Sequence, residues 1–132
     1  MHITGDTNVL LRTLVADDVR QSRLALDALG EASTVAVSLQ ALCELVWVLD
    51  RQYKTSRADI ATAIRQLLET RGVVVNRPAV KAGLAILEAG GDFADGIIAY
   101  DGQWLGAETF VSFDRKAVKL VDAQGIPARL LK

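Results

Sequence analysis

Short segments rich in β-branched residues alternate with helical segments along the chain, and this alternation is what most restricts the fold. Strands that are separated by helices pair in parallel through right-handed crossovers, which leave helices on both faces of the sheet. Sheets of this class place functional side chains just beyond the carboxyl ends of their strands. The sequence therefore predicts an α/β fold with a parallel sheet, and the residues after each strand are the first candidates for a site.

The predicted elements cover the chain without a repeat, a low-complexity segment or a linker. Strands are predicted at residues 2–4, 34–37, 73–75, 109–113 and 128–131. Helices are predicted at residues 7–14, 17–29, 57–70, 93–100 and 116–121, from the cap Ser38 to about Arg51, and from Pro78 to the Gly90-Gly91 pair. A chain of 132 residues can bury a sizeable core, so residues 1–132 are expected to form a single domain.

The composition is that of an ordinary globular protein, with 51% apolar and 23% charged residues. Fifteen Lys and Arg against sixteen Asp and Glu give a net charge of −1, so nucleic-acid binding would need a local basic surface. One cysteine, Cys43, excludes an internal disulfide. Neither a signal-peptide pattern nor an apolar run of about 20 residues is present, and we expect a cytoplasmic protein.

Residues 42–49, LCELVWVL, place a single carboxylate in an apolar helix. Apolar residues surround Glu44, and Trp47, one turn away, is expected in the core. A helix that is apolar on every side is normally buried, and burying an unpaired carboxylate strongly opposes folding. The sequence therefore predicts a cationic partner for Glu44, which is either a metal ion or an arginine such as Arg51.

Further acids stand close to predicted strands. Asp6 follows the first strand, Asp114 follows the fourth, and Asp92 and Asp95 lie where the helix at residue 93 begins. Asp6, Asp92 and Asp114 also occupy positions where aspartate is a favoured N-cap, and Asp95 has the spacing of a capping-box partner of Asp92. Capping therefore remains an alternative for each of these acids, but it does not explain Glu44.

A parallel sheet is expected to bring Asp6, Glu44, Asp95 and Asp114 to one edge. Carboxylates that share a site repel one another and raise one another's pKa values, and a divalent cation reverses this effect. Mg²⁺ and Mn²⁺ prefer oxygen ligands and activate water for phosphodiester cleavage. His2 is the single histidine, so a zinc site or histidine-based catalysis is not expected.

Four segments carry a resemblance to a known family. They are DTNVLLR from Asp6, SLQALCELVWVL around Glu44, DFADGIIA from Asp92 and TFVSFDRKAVKL around Asp114. In this order and spacing they resemble the motifs of the PIN-domain family, and within it the VapC-type toxins of type II toxin–antitoxin systems. The resemblance covers essentially the whole chain. It implies a PIN-like three-layer α/β/α fold with a central parallel sheet of four to five short strands, and a Mg²⁺- or Mn²⁺-dependent endoribonuclease.

The resemblance also implies roles for individual residues. The metal-binding and catalytic acids would be Asp6, Glu44, Asp95 and Asp114. Their supporting residues would be Thr7, Asn8, Asp92 and Ser112, with Asn8 orienting a carboxylate. Among the basic residues, the candidate RNA contacts are Arg12, Arg115 and Lys116, for which a solvated helix face is an equal alternative.

Partners follow from the same resemblance: a cognate VapB-like antitoxin, an RNA substrate and a second copy of the chain in a homodimer. An antitoxin arginine reaching the carboxylates would inhibit by satisfying them without a metal. Two other classes stay open. A receiver-like signalling domain would need paired acids after the first strand and a lone aspartate after a middle strand, and the sequence has neither. A catalytically inactive PIN-like binding module would act only through protein partners.

Overall fold

Five short strands, all paired in parallel, alternate with seven helices in the computed structural model, which describes residues 1–132. The predicted α/β class is confirmed, and so is the parallel pairing. The strands form a three-stranded sheet and a two-stranded sheet, whereas one central sheet was expected. The chain divides into two compact units, residues Met1–Asn76 and Arg77–Lys132, and each contains one of the sheets.

The first unit contains three strands and four helices. They are β1 (His2–Thr4), α1 (Thr7–Leu14), α2 (Val19–Glu31), β2 (Thr34–Ala36), α3 (Leu39–Arg51), α4 (Arg57–Glu69) and β3 (Val73–Val74). β2 is the central strand, with Val35 opposite both Ile3 of β1 and Val73 of β3. Val35 is fully buried, which is the expected result for a β-branched residue in the middle of a parallel sheet.

Each helix of the first unit begins at a polar side chain that accepts a hydrogen bond from a backbone N–H of the first turn. These N-caps are Asp6 for α1, Asp18 for α2, Ser38 for α3 and Ser56 for α4. Such caps satisfy donors that would otherwise be unpaired and typically contribute about 1 kcal/mol each. Local sequence therefore fixes where these helices begin, and with them the residues that follow β1 and β2.

The second unit contains α5 (Arg77–Glu88), α6 (Phe93–Trp104), β4 (Phe110–Ser112), α7 (Arg115–Ala123) and β5 (Ala128–Leu130). Ile86, Ala99 and Val121 form a buried cluster, against which Phe110 and Leu120 also pack. β4 and β5 pair in register from Phe110 opposite Ala128 to Ser112 opposite Leu130. α6 continues four residues beyond the predicted end at residue 100.

Glycines allow α5 and α6 to pack against each other at unusually short distance. A Cβ atom added at Gly96 of α6 would lie 2.4 Å from the carbonyl oxygen of Ala82 in α5. A Cβ atom at Gly83 would lie 2.8 Å from the ring of Phe93, which is fully buried. This packing fixes the first turn of α6, which carries Asp95.

None of the helices combines the length and the apolar character that a membrane span requires.

Candidate functional site

Glu44 lies on the exposed stripe of α3, and the prediction that this helix is buried on every side is wrong. The buried positions of α3 are Ala41, Leu42, Leu45, Val46 and Leu49. The exposed positions recur at helical spacing and are Gln40, Glu44, Trp47, Asp50 and Arg51. Trp47, expected in the core, is 55% exposed. A tryptophan on the exposed stripe made that stripe appear apolar in the sequence.

The carboxylate of Glu44 accepts a hydrogen bond from the hydroxyl of Thr7, with 2.6 Å between Oγ1 and Oε2. The alternative salt bridge to Arg51 is not formed, and Arg51 lies 3.6 Å from the carboxylate of Asp50. Thr7 is the first residue of α1 and orients an acid that lies 37 residues later. Thr7 therefore lies beside Glu44, and its role as a support of a metal ligand stays a prediction.

Asp6 directly precedes Thr7, between β1 and α1, and is exposed. Its Oδ1 atom accepts a hydrogen bond of 3.0 Å from the backbone N–H of Val9, so the residue caps α1. The other carboxylate oxygen, Oδ2, accepts no hydrogen bond. Capping and ligand binding are thus compatible at Asp6, and the start of α1 places one candidate acid next to the residue that orients another.

Asn8 and Arg12 have partners on α2 and in the loop before it. The Asn8 amide donates a 3.4 Å hydrogen bond to Gln21, and not to a carboxylate of the candidate site. Arg12 forms an ion pair with Asp17 and donates from Nε to Gln21 at 3.0 Å, and its side chain is 17% exposed. The predicted roles of Asn8 as a carboxylate support and of Arg12 as an RNA contact stay predictions.

In the second unit, Asp92 and Asp114 act as N-caps. Asp92 accepts from the backbone N–H of Ala94 at 3.1 Å. Asp114 accepts from Lys116 at 2.9 Å and from Ala117 at 3.2 Å. The hydroxyl of Ser112 accepts from the backbone N–H of Asp114 at 2.9 Å, so it shapes the turn between β4 and α7. The capping alternative is therefore realised for both acids.

Asp95 differs from these caps, because its half-buried carboxylate accepts no hydrogen bond. Burial raises its pKa above the ordinary value, and the negative charges of Asp92 and Asp114 raise it further. The second unit therefore brings three predicted site residues near enough to interact electrostatically. An acid in such surroundings favours protonation or a compensating cation.

The donor set fits a hard divalent cation, since all the candidate ligands are carboxylate oxygens. Within neither unit do three His, Cys, Asp or Glu side chains lie close enough together to form a metal-binding group. Asp6, Asp92 and Asp114 direct carboxylate oxygens at backbone amides, which accounts for part of this. The metal-binding roles of Asp6, Glu44, Asp95 and Asp114 stay predictions.

Two basic residues and an aromatic residue flank Asp114. Arg115 and Lys116 occupy the first turn of α7 and are exposed. Phe113, which the sequence placed at the end of a strand, lies just beyond β4 and is 81% exposed. The exposure of Phe113 and Trp47 had no signal in the sequence, because both types are usually buried.

A profile of the family described as the PIN domain matches residues 3–123 of the chain. No curated protein matches the chain.

Proposed function

The chain belongs to the PIN domain family, whose members are generally nucleases that use divalent metals, and we propose that it is a metal-dependent endoribonuclease toxin of the VapC type. The observation that supports this most is the environment of Asp95. Its carboxylate has no hydrogen-bond donor and lies close to the negative charges of Asp92 and Asp114. A cation bound to these acids would remove a repulsion that otherwise opposes folding.

The proposed metal-binding and catalytic residues are Asp6, Glu44, Asp95 and Asp114. Once bound, Mg²⁺ or Mn²⁺ supplies an activated water and stabilises charge on the leaving oxygen of an RNA phosphodiester. Thr7 holds the Glu44 carboxylate in one orientation through its hydroxyl, and Ser112 holds the turn that carries Asp114. Asp92 supports Asp95 by capping α6, and Asn8 remains a proposed support of the acids.

The proposed RNA contacts are Arg115 and Lys116, which are exposed beside Asp114. They provide local positive charge, which a protein with a net charge of −1 needs in order to bind phosphates. Arg12 joins these contacts only if RNA competes successfully with Asp17 for its guanidinium.

The remaining parts of the proposal rest on the four motifs that resemble VapC-type toxins. Residues 1–132 act as a single domain in the cytoplasm and form a homodimer. A VapB-like antitoxin inhibits the enzyme, and an antitoxin arginine neutralises the carboxylates in place of a metal.

The decisive experiment is cleavage of a structured RNA pool by antitoxin-free protein, with Mg²⁺ or with EDTA, beside the Asp6→Asn variant. Asparagine is as good an N-cap as aspartate, so the variant keeps α1 but loses a carboxylate charge. We expect cleavage that requires Mg²⁺ and is largely lost in Asp6→Asn. Equal cleavage rates for the variant and the wild type would refute the assignment of Asp6.

A catalytically inactive PIN-like binding module is the second candidate, and one observation favours it. Within neither unit do three acids form a ready metal-binding group. Calorimetric titration of the isolated protein with Mn²⁺ separates the two candidates. Metal binding without cleavage would indicate an unsuitable RNA, whereas the absence of both would favour the inactive module.

A further inference from the structure

The exposed stripe of α3 carries an aromatic ring and a cation beside the proposed metal-binding carboxylate of Glu44. Trp47 follows Glu44 by three residues, and Arg51 follows Trp47 by four, so consecutive members of this stripe are surface neighbours. The Cζ atom of Arg51 lies 5.9 Å from the centre of the Trp47 ring, within the range of a cation–π interaction.

The environment of Trp47 distinguishes it from the other tryptophan of the chain. Trp47 is 55% exposed although Arg51 lies over its ring. Trp104 is 73% exposed at the end of α6, where its indole N–H donates to the hydroxyl of Tyr100 at 2.9 Å. A ring that is held and still open to solvent is a preformed surface for stacking, because little side-chain freedom remains to be lost on binding. Trp47 also has a guanidinium beside it that can contact a phosphate, whereas the group that holds Trp104 is an uncharged hydroxyl.

We propose that Trp47 stacks on an unpaired nucleobase of the RNA and that Arg51 contacts a neighbouring phosphate, so that the pair positions the strand at Glu44. This inference rests on the proposed nuclease function and names its substrate as RNA with unpaired bases. Paired bases within a duplex do not expose their faces, whereas unstacked bases in loops and single strands do. Stacking on an aromatic ring tolerates any base, so the pair contributes affinity without selecting a sequence.

Arg51 is the cation of this stripe, which also carries the carboxylates of Glu44 and Asp50. Arg51 approaches Asp50 through Nε at 3.6 Å, and its side chain is 67% exposed. A guanidinium carries five N–H donors, so this one contact leaves donors for phosphate oxygens. Glu44 is one turn away, and its carboxylate is already oriented by Thr7. In this proposal Arg51 and Trp47 bind the RNA strand, whereas Glu44 binds the metal.

The test uses fluorescence in the Trp104→Phe background, where Trp47 is the remaining tryptophan. The chain of residues 1–132 in EDTA is titrated with a single-stranded RNA oligonucleotide, and separately with the same sequence as a duplex. We expect the single strand to quench Trp47 emission and the duplex to leave it unchanged. Emission that does not respond to the single strand would overturn the proposal.

Affinities are measured in parallel by the anisotropy of labelled single-stranded RNA. Trp47→Ala should weaken binding roughly ten-fold, and Trp47→Phe should recover part of the loss, because a smaller ring still stacks. Arg51→Ala should weaken binding and lower the salt dependence by about one phosphate contact. Trp104→Ala is the matched control and should bind as the wild type does. Equal losses in Trp47→Ala and Trp104→Ala would contradict the proposal.

Cleavage kinetics keep this inference separate from the nuclease assignment. Trp47→Ala should raise KM more than it lowers kcat on a single-stranded substrate. If the wild type cleaves RNA and Trp47→Ala has an unchanged KM and affinity, the stacking role is wrong and the nuclease stands. If the wild type binds RNA and is quenched by it, but neither binds Mn²⁺ nor cleaves this RNA or the structured pool, the nuclease is wrong and the stacking role stands. A protein partner that quenches Trp47 where RNA does not would assign the stripe to that partner.

Discussion

The hydroxyl of Thr7 donates a 2.6 Å hydrogen bond to Oε2 of Glu44 and so joins the start of α1 to the exposed stripe of α3. Because Thr7 follows Asp6, a single position in the chain couples two of the proposed metal-binding acids. A carboxylate that is held in one orientation loses less freedom on binding a metal, which is the usual contribution of residues that support metal ligands.

Replacing Thr7 with valine removes the hydroxyl at nearly constant shape. We expect Mn²⁺ affinity to fall roughly 10- to 100-fold, because Glu44 then has no fixed orientation. Thr7→Ser keeps the hydroxyl and should bind almost as the wild type does. Calorimetric titration of the three proteins measures this difference, and equal affinities for the valine and serine variants would contradict a positioning role.

Asp95→Asn should stabilise the metal-free protein, because it removes a half-buried charge that Asp92 and Asp114 repel. In EDTA we expect a higher Tm than for the wild type, by roughly a few degrees. With Mg²⁺ the order should reverse, since the variant lacks a proposed ligand.

Asp59→Asn is the matched control for this measurement. Asp59 is the third residue of α4, as Asp95 is of α6, and it is exposed. The loss of this charge removes only a favourable interaction with the helix N-terminus. The Tm of Asp59→Asn should therefore fall slightly, both in EDTA and with Mg²⁺. A fall in the Tm of Asp95→Asn in EDTA would show that its charge is not repelled.

Gly96→Ala should destabilise the protein by about 1–3 kcal/mol, which is typical of overpacking a close contact. The added methyl would lie 2.4 Å from the carbonyl oxygen of Ala82, and a backbone atom cannot move aside without shifting α5. Gly102→Ala, in the same helix, meets only Ala107 at 3.9 Å and should be neutral or stabilising by up to about 1 kcal/mol. Urea denaturation measures the free energy of unfolding of both variants. Equal losses in the two variants would contradict the close contact at Gly96.

Tyr53 should lose its proton at a higher pH than an ordinary tyrosine does, because its pKa is raised. Its hydroxyl donates to Asp17 at 2.7 Å, and this bond, with burial and the negative charge of Asp17, raises the pKa of Tyr53. The same bond, with the charge of Arg12, lowers the pKa of Asp17 against an opposing effect of burial. The hydrogen-bonded pair therefore stabilises the fold at pH values between the pKa of Asp17 and the pKa of Tyr53. Its contribution is lost as pH falls through the pKa of Asp17 and as pH rises through that of Tyr53.

Phenolate absorbance measures this shift as the difference between the wild type and Tyr53→Phe during an alkaline titration. Asp17→Asn removes the charge that holds the proton and should return the Tyr53 midpoint toward the ordinary value. An unchanged midpoint in Asp17→Asn would mean that another group controls Tyr53. Circular dichroism at each pH confirms that the chain is still folded.

The sequence by itself determined the elements of this fold and the identity of the candidate acids. All seven helices and five strands lie where apolar periodicity, caps and glycines predicted them, with shifts of a few residues at their ends. These signals are local, because a cap such as Ser38 and the turn that it begins are consecutive in the chain. The four motifs are local for the same reason, and the family match over residues 3–123 confirms the family to which they point.

Only the tertiary structure decided which faces and partners these residues have. Trp47 was expected in the core and is exposed, because burial depends on which elements pack against a helix and not on the helix itself. Thr7 meets Glu44 across 37 residues, and Arg12 is engaged by Asp17 and Gln21. The five strands form two sheets because strand pairing joins distant segments. Contacts of this kind arise when the whole chain closes on its core, and no local pattern encodes them.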